Sequence, residues 1–180
     1  KPDGYTLIML TGGHTASAAV RKTLPYDPVT DFSMISTVTR FPFVIAVKAD
    51  NPAKNLADLL EKARTKPNGV TYSSVGVGST QHLTGELLAS TAKANMLHVP
   101  YRGGGAPVMA VLSGDVDVLI EPVTVAAPQI QTGALRPLAV TSKEAWPLLK
   151  GIPTVDATLP GYEVMSWLGI AGPAGMPPDI

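Results

Sequence analysis

In the stretch VTYSSVGVGSTQHLTGELL (70–88), Ser79, Thr80 and His82 directly follow glycines at 76 and 78. A strand that breaks at glycines and re-enters a helix aims unpaired backbone N–H groups at whatever lies in front of it. Three chemistries compete for that place. Nucleotide phosphate binding is a poor match. A P-loop needs Lys and then Ser or Thr after its last glycine, whereas Gly78 is followed by Ser79-Thr80-Gln81. A dinucleotide fingerprint would need glycine where Gln81 stands. Nucleophilic catalysis is the alternative reading: Ser79 and His82 lie three apart on one helical face and could serve a hydrolase, but the G-x-S-x-G frame is missing. The plain role of Ser79 is a helix N-cap, with His82 a polar residue of the first turn. The third chemistry is an anion cradle, in which Ser74, Gly78, Ser79 and Thr80 bring amides and hydroxyls to a carboxylate.

Magnitudes favour hydrogen bonds as the grip of such a cradle. A helix dipole supplies about 0.3–1 kcal/mol at an exposed site, while each hydrogen bond to a charged group contributes roughly 1.5–3 kcal/mol. Two or three such bonds hold a carboxylate without Arg or Lys. The same pattern recurs in LTGGHTASAA (10–19), with Thr11, Gly12, Gly13 and Thr15, and in PYRGGGAPV (100–108), with Gly103. Open α/β sheets bind ligands at the carboxyl ends of their strands, where such junctions gather. Glu121 ends the run VDVLI and either accepts from a ligand amine or hydroxyl or caps the following helix. Arg102 is placed either to pair a carboxylate or to sit in solvent. His14 and His98 read as polar fillers, Trp167 as core or hinge packing, and no His/Asp/Glu spacing suggests a metal site.

The elements that must position these residues alternate short β-branched runs with helical patterns, the signature of βαβ units and a mostly parallel sheet. Strands are expected at 5–10, in MISTV and FVIAVK, and at 70–74, 96–99, 116–120, 135–140 and 163–171. Helices are expected near 15–23, after Asn55, and at 79–92, 106–113 and 124–131. In the second of these, Leu56, Leu59, Leu60 and Ala63 share one face, and Pro67 and Asn68-Gly69 stop the helix. In helix 79–92 the buried side is expected to carry Leu83 and Leu87. Strands FPFVIAVK and EVMSWLGIA bracket a βαβαβαβ block, which suggests two crossings of a hinge and two lobes.

Composition bounds the partners. The 180 residues are 45% hydrophobic and 16% charged, with zero net charge and no basic stripe, so nucleic acid and anionic membrane are poor partners. The longest apolar run is far below the roughly 20 residues that span a bilayer. With no cysteine there is no disulfide scaffold or thiolate site. The chain opens on KPDGYTLIML without Met, which reads as a piece of something longer.

Taken in order, KPDGYTL, LPYDPVTDF, PAKNLADLL, G-x-G-S-x-x-H-L, HVPYRGGGAPV, LSGDVDVL, GALRPLAVTS, GIPTVDATLPGYE and SWLGIAGPAGMP resemble the periplasmic substrate-binding proteins of tripartite tricarboxylate transporters, also called the Bug family. The resemblance covers essentially the whole chain. It implies an α/β, type II periplasmic-binding-protein (Venus flytrap) fold of two lobes, with lobe one incomplete: 1–45 and 164–180 in lobe one, 46–163 in lobe two. It implies a periplasmic, monomeric, non-catalytic protein that takes a small organic carboxylate, needs no cofactor and hands its ligand to the membrane subunits of the transporter. A ligand-sensing partner of a sensor kinase would use the same chemistry. By position, the binding loops become 11–17 in lobe one, and 74–80 with His82, 101–105 and Glu121 in lobe two. Two departures stand out: Ser17-Ala18 where many members carry Asn-Pro, and Glu121-Pro122 where Asp-Asn is common.

Overall fold

The computed structural model describes residues 1–66, 69–177 and 179. The chain forms two compact units, Lys1–Arg40 with Ser166–Ile180, and Phe41–Met165.

In the first unit, strand β1 (Ile8–Thr11) pairs antiparallel with β7 (Met165–Pro173), Ile8 opposite Ala171 and Thr11 opposite Leu168. The first strand is shorter and later than the expected 5–10. The helix that follows, α1 (Gly12–Val20), begins three residues earlier than expected, because Thr11 caps it: its Oγ1 accepts the Gly13 N–H at 3.1 Å. His14 is held in place by neighbours, its Nε2 2.7 Å from the Pro28 carbonyl and its ring edge-on to Phe32 and stacked on Tyr26. Its reading as a filler agrees with that setting.

MISTV and FVIAVK are one element, strand β2 (Phe32–Lys48). Residues 39–42 between them continue the strand, Pro42 included, since the fixed φ of proline is compatible with extended backbone. In the second unit β2 lies between β5 (Val118–Pro122) and β6 (Leu135–Val140), antiparallel to both. Strand β3 (Val70–Ser74) pairs in parallel with β5 on one side and with β4 (Met96–Pro100) on the other. The expectation of a mostly parallel sheet is corrected to a mixed one. Strands β5 and β6 are joined by a helical crossover, which makes them parallel to each other, but β2 inserts between them running the opposite way.

Helices cover both faces of this sheet, and period-2 alternation sorts the strand side chains between two cores. Phe43, Ile45, Val47, Val118 and Ile120 pack with α2 (Leu56–Thr65) and α3 (Thr80–Ala92). Val44, Ala46 and Leu119 pack with α4 (Ala106–Ser113) and α5 (Val123–Gln131). Helix α2 follows its sequence pattern: Asn55 Oδ1 accepts the Asp58 N–H, and Leu56, Leu59, Leu60 and Ala63 are all buried. The proposed stop at Pro67 and Asn68 lies outside the described residues.

Helix α3 buries a different face from the expected one. Thr84, Gly85, Leu88 and Ala92 turn inward, while Leu87 is exposed. The Tyr72 ring decides the matter. It lies against Gly85 so closely that a Cβ there would sit 2.2 Å from Cε2, so only a glycine can face the sheet at that turn. Strands β5 and β7 also begin two residues later than the runs 116–120 and 163–171 suggest.

Candidate functional site

The order of the parallel strands places the site. From β3 the chain crosses outward to β4, then returns past β3 to β5. The carboxyl ends of β3 and β5 therefore flank a switch point, the place where open α/β sheets leave a crevice. Three loops meet there. Tyr101 N–H donates to Ser74 O at 2.9 Å, tying the β4–α4 loop to the end of β3. Gln81, in the first turn of α3, donates from Nε2 to Glu121 Oε2 at 3.3 Å, tying α3 to the end of β5.

The β3–α3 loop runs through Gly76 (φ +135) and Gly78 (φ +82), conformations that strain any other residue. Ser79 caps α3, its Oγ accepting the His82 N–H at 3.2 Å. Fewer amides are left for the expected cradle, because several are already engaged within the loop. Gly76 N–H bonds Ser74 Oγ, Ser79 N–H bonds Gly76 O, and Gly78 N–H bonds His82 Nδ1 at 3.2 Å. The first α-helical bond runs from Leu83 N–H to Ser79 O, so Thr80 and Gln81 carry the first-turn donors that helix and cap do not use.

His82 and Ser79 do not form a nucleophile pair. Ser79 Oγ accepts a main-chain N–H, while the His82 ring holds Gly78 through Nδ1 and has Nε2 3.8 Å from Glu86 Oε1. His98 is the residue that the sequence reading undervalued. Its ring lies 4.0 Å from that of His82, stacks on Tyr72 at 5.0 Å, and sets Nε2 2.6 Å from Ser74 Oγ. Burial and the neighbouring His82 push the His98 imidazole below its ordinary value, with Glu86 acting the other way. Tyr72 Oη donates to Glu86 Oε1 at 2.5 Å, and burial followed by that bond pushes its phenol up. Ser74 is fully buried, so its contact with His98 is a strut beneath the loop. Strand parity was the available signal: Tyr72 and His98 are register partners in neighbouring parallel strands.

Glu121 is 2% exposed. Its Oε1 has no hydrogen-bond partner among the described residues. Burial pushes its carboxyl up to about 7, opposed by the Gln81 bond. In the β4–α4 loop, Arg102 is exposed and Gly103 has φ +85. In the first unit, Thr11 is spent as a cap, Thr15 Oγ1 donates to Gly12 O at 2.9 Å, and Gly12 and Gly13 open helix α1. That first segment is thus a helical turn rather than a free loop. Trp167 lines a cavity of about 410 Å³ within the first unit, with Leu10, Ile35 and Arg40. Among the described residues, no group of three His, Asp or Glu is placed to hold a metal ion.

A family model described as the tripartite tricarboxylate transporter family receptor matches residues 1–180. The chain belongs to that receptor family. A relative from Pseudomonas sp. (strain P51), the UPF0065 protein in the tcbD-tcbE intergenic region, is 34% identical over 99% of this chain and 54% of its own length. The chain thus spans about half the length of the curated relatives it matches. Among solved structures, R. palustris Rpa4515 with adipate is 35% identical with a TM-score of 0.94, covering 99% of this chain and 60% of that one. MatC (Rpa3494) from Rhodopseudomonas palustris with bound malate is 28% identical with a TM-score of 0.90, covering 98% and 61%. The fold is accordingly that of the periplasmic binding proteins of this receptor family, covered in part.

Proposed function

We propose that this chain is the ligand-capturing part of a periplasmic receptor that binds a small organic carboxylate and delivers it, chemically unchanged, to the membrane subunits of a tripartite tricarboxylate transporter. One observation carries the reading. At the switch point of the second unit, the Gln81 side chain ties the first turn of α3, where Thr80 and Gln81 carry the N–H donors that helix and cap do not use, to the buried Glu121, whose Oε1 has no partner among the described residues. Similar receptors with bound adipate and malate support a carboxylate as the ligand class. Against catalysis, the Ser79 hydroxyl is occupied as a cap and the His82 ring by Gly78. Of the other site residues of the second unit, Ser74, Gly78 and Gly103 shape the loops around the ligand.

Calorimetry on the intact protein tests this. A thermal-shift screen of carboxylic acids identifies the ligand, since one at about 100 times its Kd stabilises by roughly 2.7 kcal/mol. Thr80→Pro, which removes a first-turn N–H at the first helical position, where proline is tolerated, then weakens that ligand at least about tenfold, or 1.4 kcal/mol. Unchanged affinity in that variant removes the cradle from the β3–α3 loop.

A further inference from the structure

A side chain as buried as Glu121, with one oxygen left over, carries information about what it meets. The two forms of a carboxyl differ in what they require. An ionised carboxylate offers acceptors only, whereas the neutral acid has one carbonyl acceptor and one O–H donor. Among the described residues, the surroundings of Glu121 supply a single donor, Gln81 Nε2, to Oε2, and none to Oε1. That satisfies the acceptor of a neutral acid and leaves Oε1 as a hydroxyl with nothing to donate to. An anion buried to this degree with one 3.3 Å bond would lack the pairing that buried charge needs.

The groups around the carboxyl are neutral. Val44 stands opposite it in β2, Gln81 reaches it from α3, and Pro122 and Val123 lead from it into α5. Among the described residues, burial and the Gln81 amide are the influences on its titration, and no ionisable side chain contributes a charge interaction.

Building on the carboxylate reading above, we propose that Glu121 is a specificity-determining acid: it binds in its neutral form, Oε1–H donating to a second carboxylate at the far end of the ligand, so that capture of a dicarboxylate takes up a proton. The bond is a charge-assisted acid–carboxylate pair, the short and strong class of O–H···O⁻ contact. The proton comes from solvent and stays on or between the two carboxyl groups, and no covalent bond changes. Because the free carboxyl titrates near neutrality, the coupling falls in a range where it can be measured. A ligand bearing an ammonium at that end, which can only donate, would need Glu121 ionised, and its binding would release a proton instead.

The two cases have opposite signs, which makes the test decisive. Adipate, hexanoate and 6-hydroxyhexanoate are titrated calorimetrically into the intact protein at several pH values, in pairs of buffers of different ionisation enthalpy. The expected result is net proton uptake with adipate, an affinity that falls by up to about tenfold per pH unit above the Glu121 value, and weaker binding of the other two. Glu121→Gln keeps the shape and an N–H donor, so its adipate affinity becomes independent of pH and the proton uptake disappears. A protonated-carboxyl infrared band that shifts on adding adipate to the wild type, and is missing from Glu121→Gln, reads the same acid without relying on affinity. Proton release, affinity rising with pH, or a pH dependence retained in Glu121→Gln overturns the proposal while leaving carboxylate capture intact. Failure of adipate to bind at any pH likewise overturns the proposal, and the carboxylate screen above then decides the broader reading on its own.

Discussion

Replacing Gly85 by alanine sets two well-understood effects against each other. Gly85 lies within helix α3, where alanine is favoured over glycine by about 1 kcal/mol. Propensity alone therefore predicts a more stable protein. The added Cβ, however, would stand 2.2, 2.6 and 2.7 Å from three atoms of the Tyr72 ring. The closest of these is about 1.3 Å short of a normal carbon–carbon contact of roughly 3.5 Å. The ring has no free direction to yield. It is fully buried, its hydroxyl is bonded to Glu86, and His98 stacks on it. Overpacking of this kind costs about 1–3 kcal/mol and sometimes more. With a clash this deep the upper end applies, and a net loss of about 2 kcal/mol remains after the propensity gain. For a domain of about 150–250 residues that lowers the midpoint of thermal unfolding by roughly 4–8 °C. Urea unfolding of the intact protein gives the free energy directly, with an unchanged m-value showing that the states compared are the same. Ligand affinity should fall as well, because the displaced ring carries His98 and the floor of the β3–α3 loop. Equal or greater stability in Gly85→Ala would refute the claim that Tyr72 dictates which face of α3 turns inward.

Other outcomes follow from the charged and capping groups. Without ligand, Glu121 holds its proton from its ordinary 4.5 up to about 7 in the folded state, so its contribution is complete below the lower value and is lost as pH rises through the upper one. That loss amounts to about 3 kcal/mol, and Glu121→Gln should flatten the slope in a series of urea titrations. Asp117 behaves in the opposite way. Burial alone would raise its carboxyl, but the Thr71 N–H, the Lys62 ammonium at 3.1 Å and the Thr71 hydroxyl together hold it below the ordinary value. Its contribution is present above the unfolded value near 3.8 and is lost as pH falls through the lower folded one, so Asp117→Asn should cost about 1–2 kcal/mol at neutral pH and much less in acid. A deficit that is the same at both ends would refute this pairing. Asn55→Ala removes the cap of α2 and should lower the urea midpoint by the equivalent of about 1 kcal/mol, while an unchanged midpoint would show that the Asp58 N–H finds another partner.

What could be read from the chain alone was whatever neighbouring residues decide among themselves. The four-residue face of α2 and its Asn55 cap, the β3 strand ending at Ser74, the Ser79 cap and the glycines that bend the loop all depend on local periodicity and local hydrogen bonds. The proposed anion cradle starts from the same local features, a strand, a turn and a helix start. The tertiary structure decided everything that depends on which element lies beside which. Strand β2 inserts between β5 and β6 and turns an expected parallel sheet into a mixed one. Tyr72 selects Gly85 over Leu87 as the inner face of α3, and register pairing brings His98, from a separate strand, beneath the loop. Above all, Glu121 is an ordinary acid when read in sequence. Only packing strips it of water and leaves one oxygen without a partner, because burial is a property of what surrounds a residue and not of the residue itself.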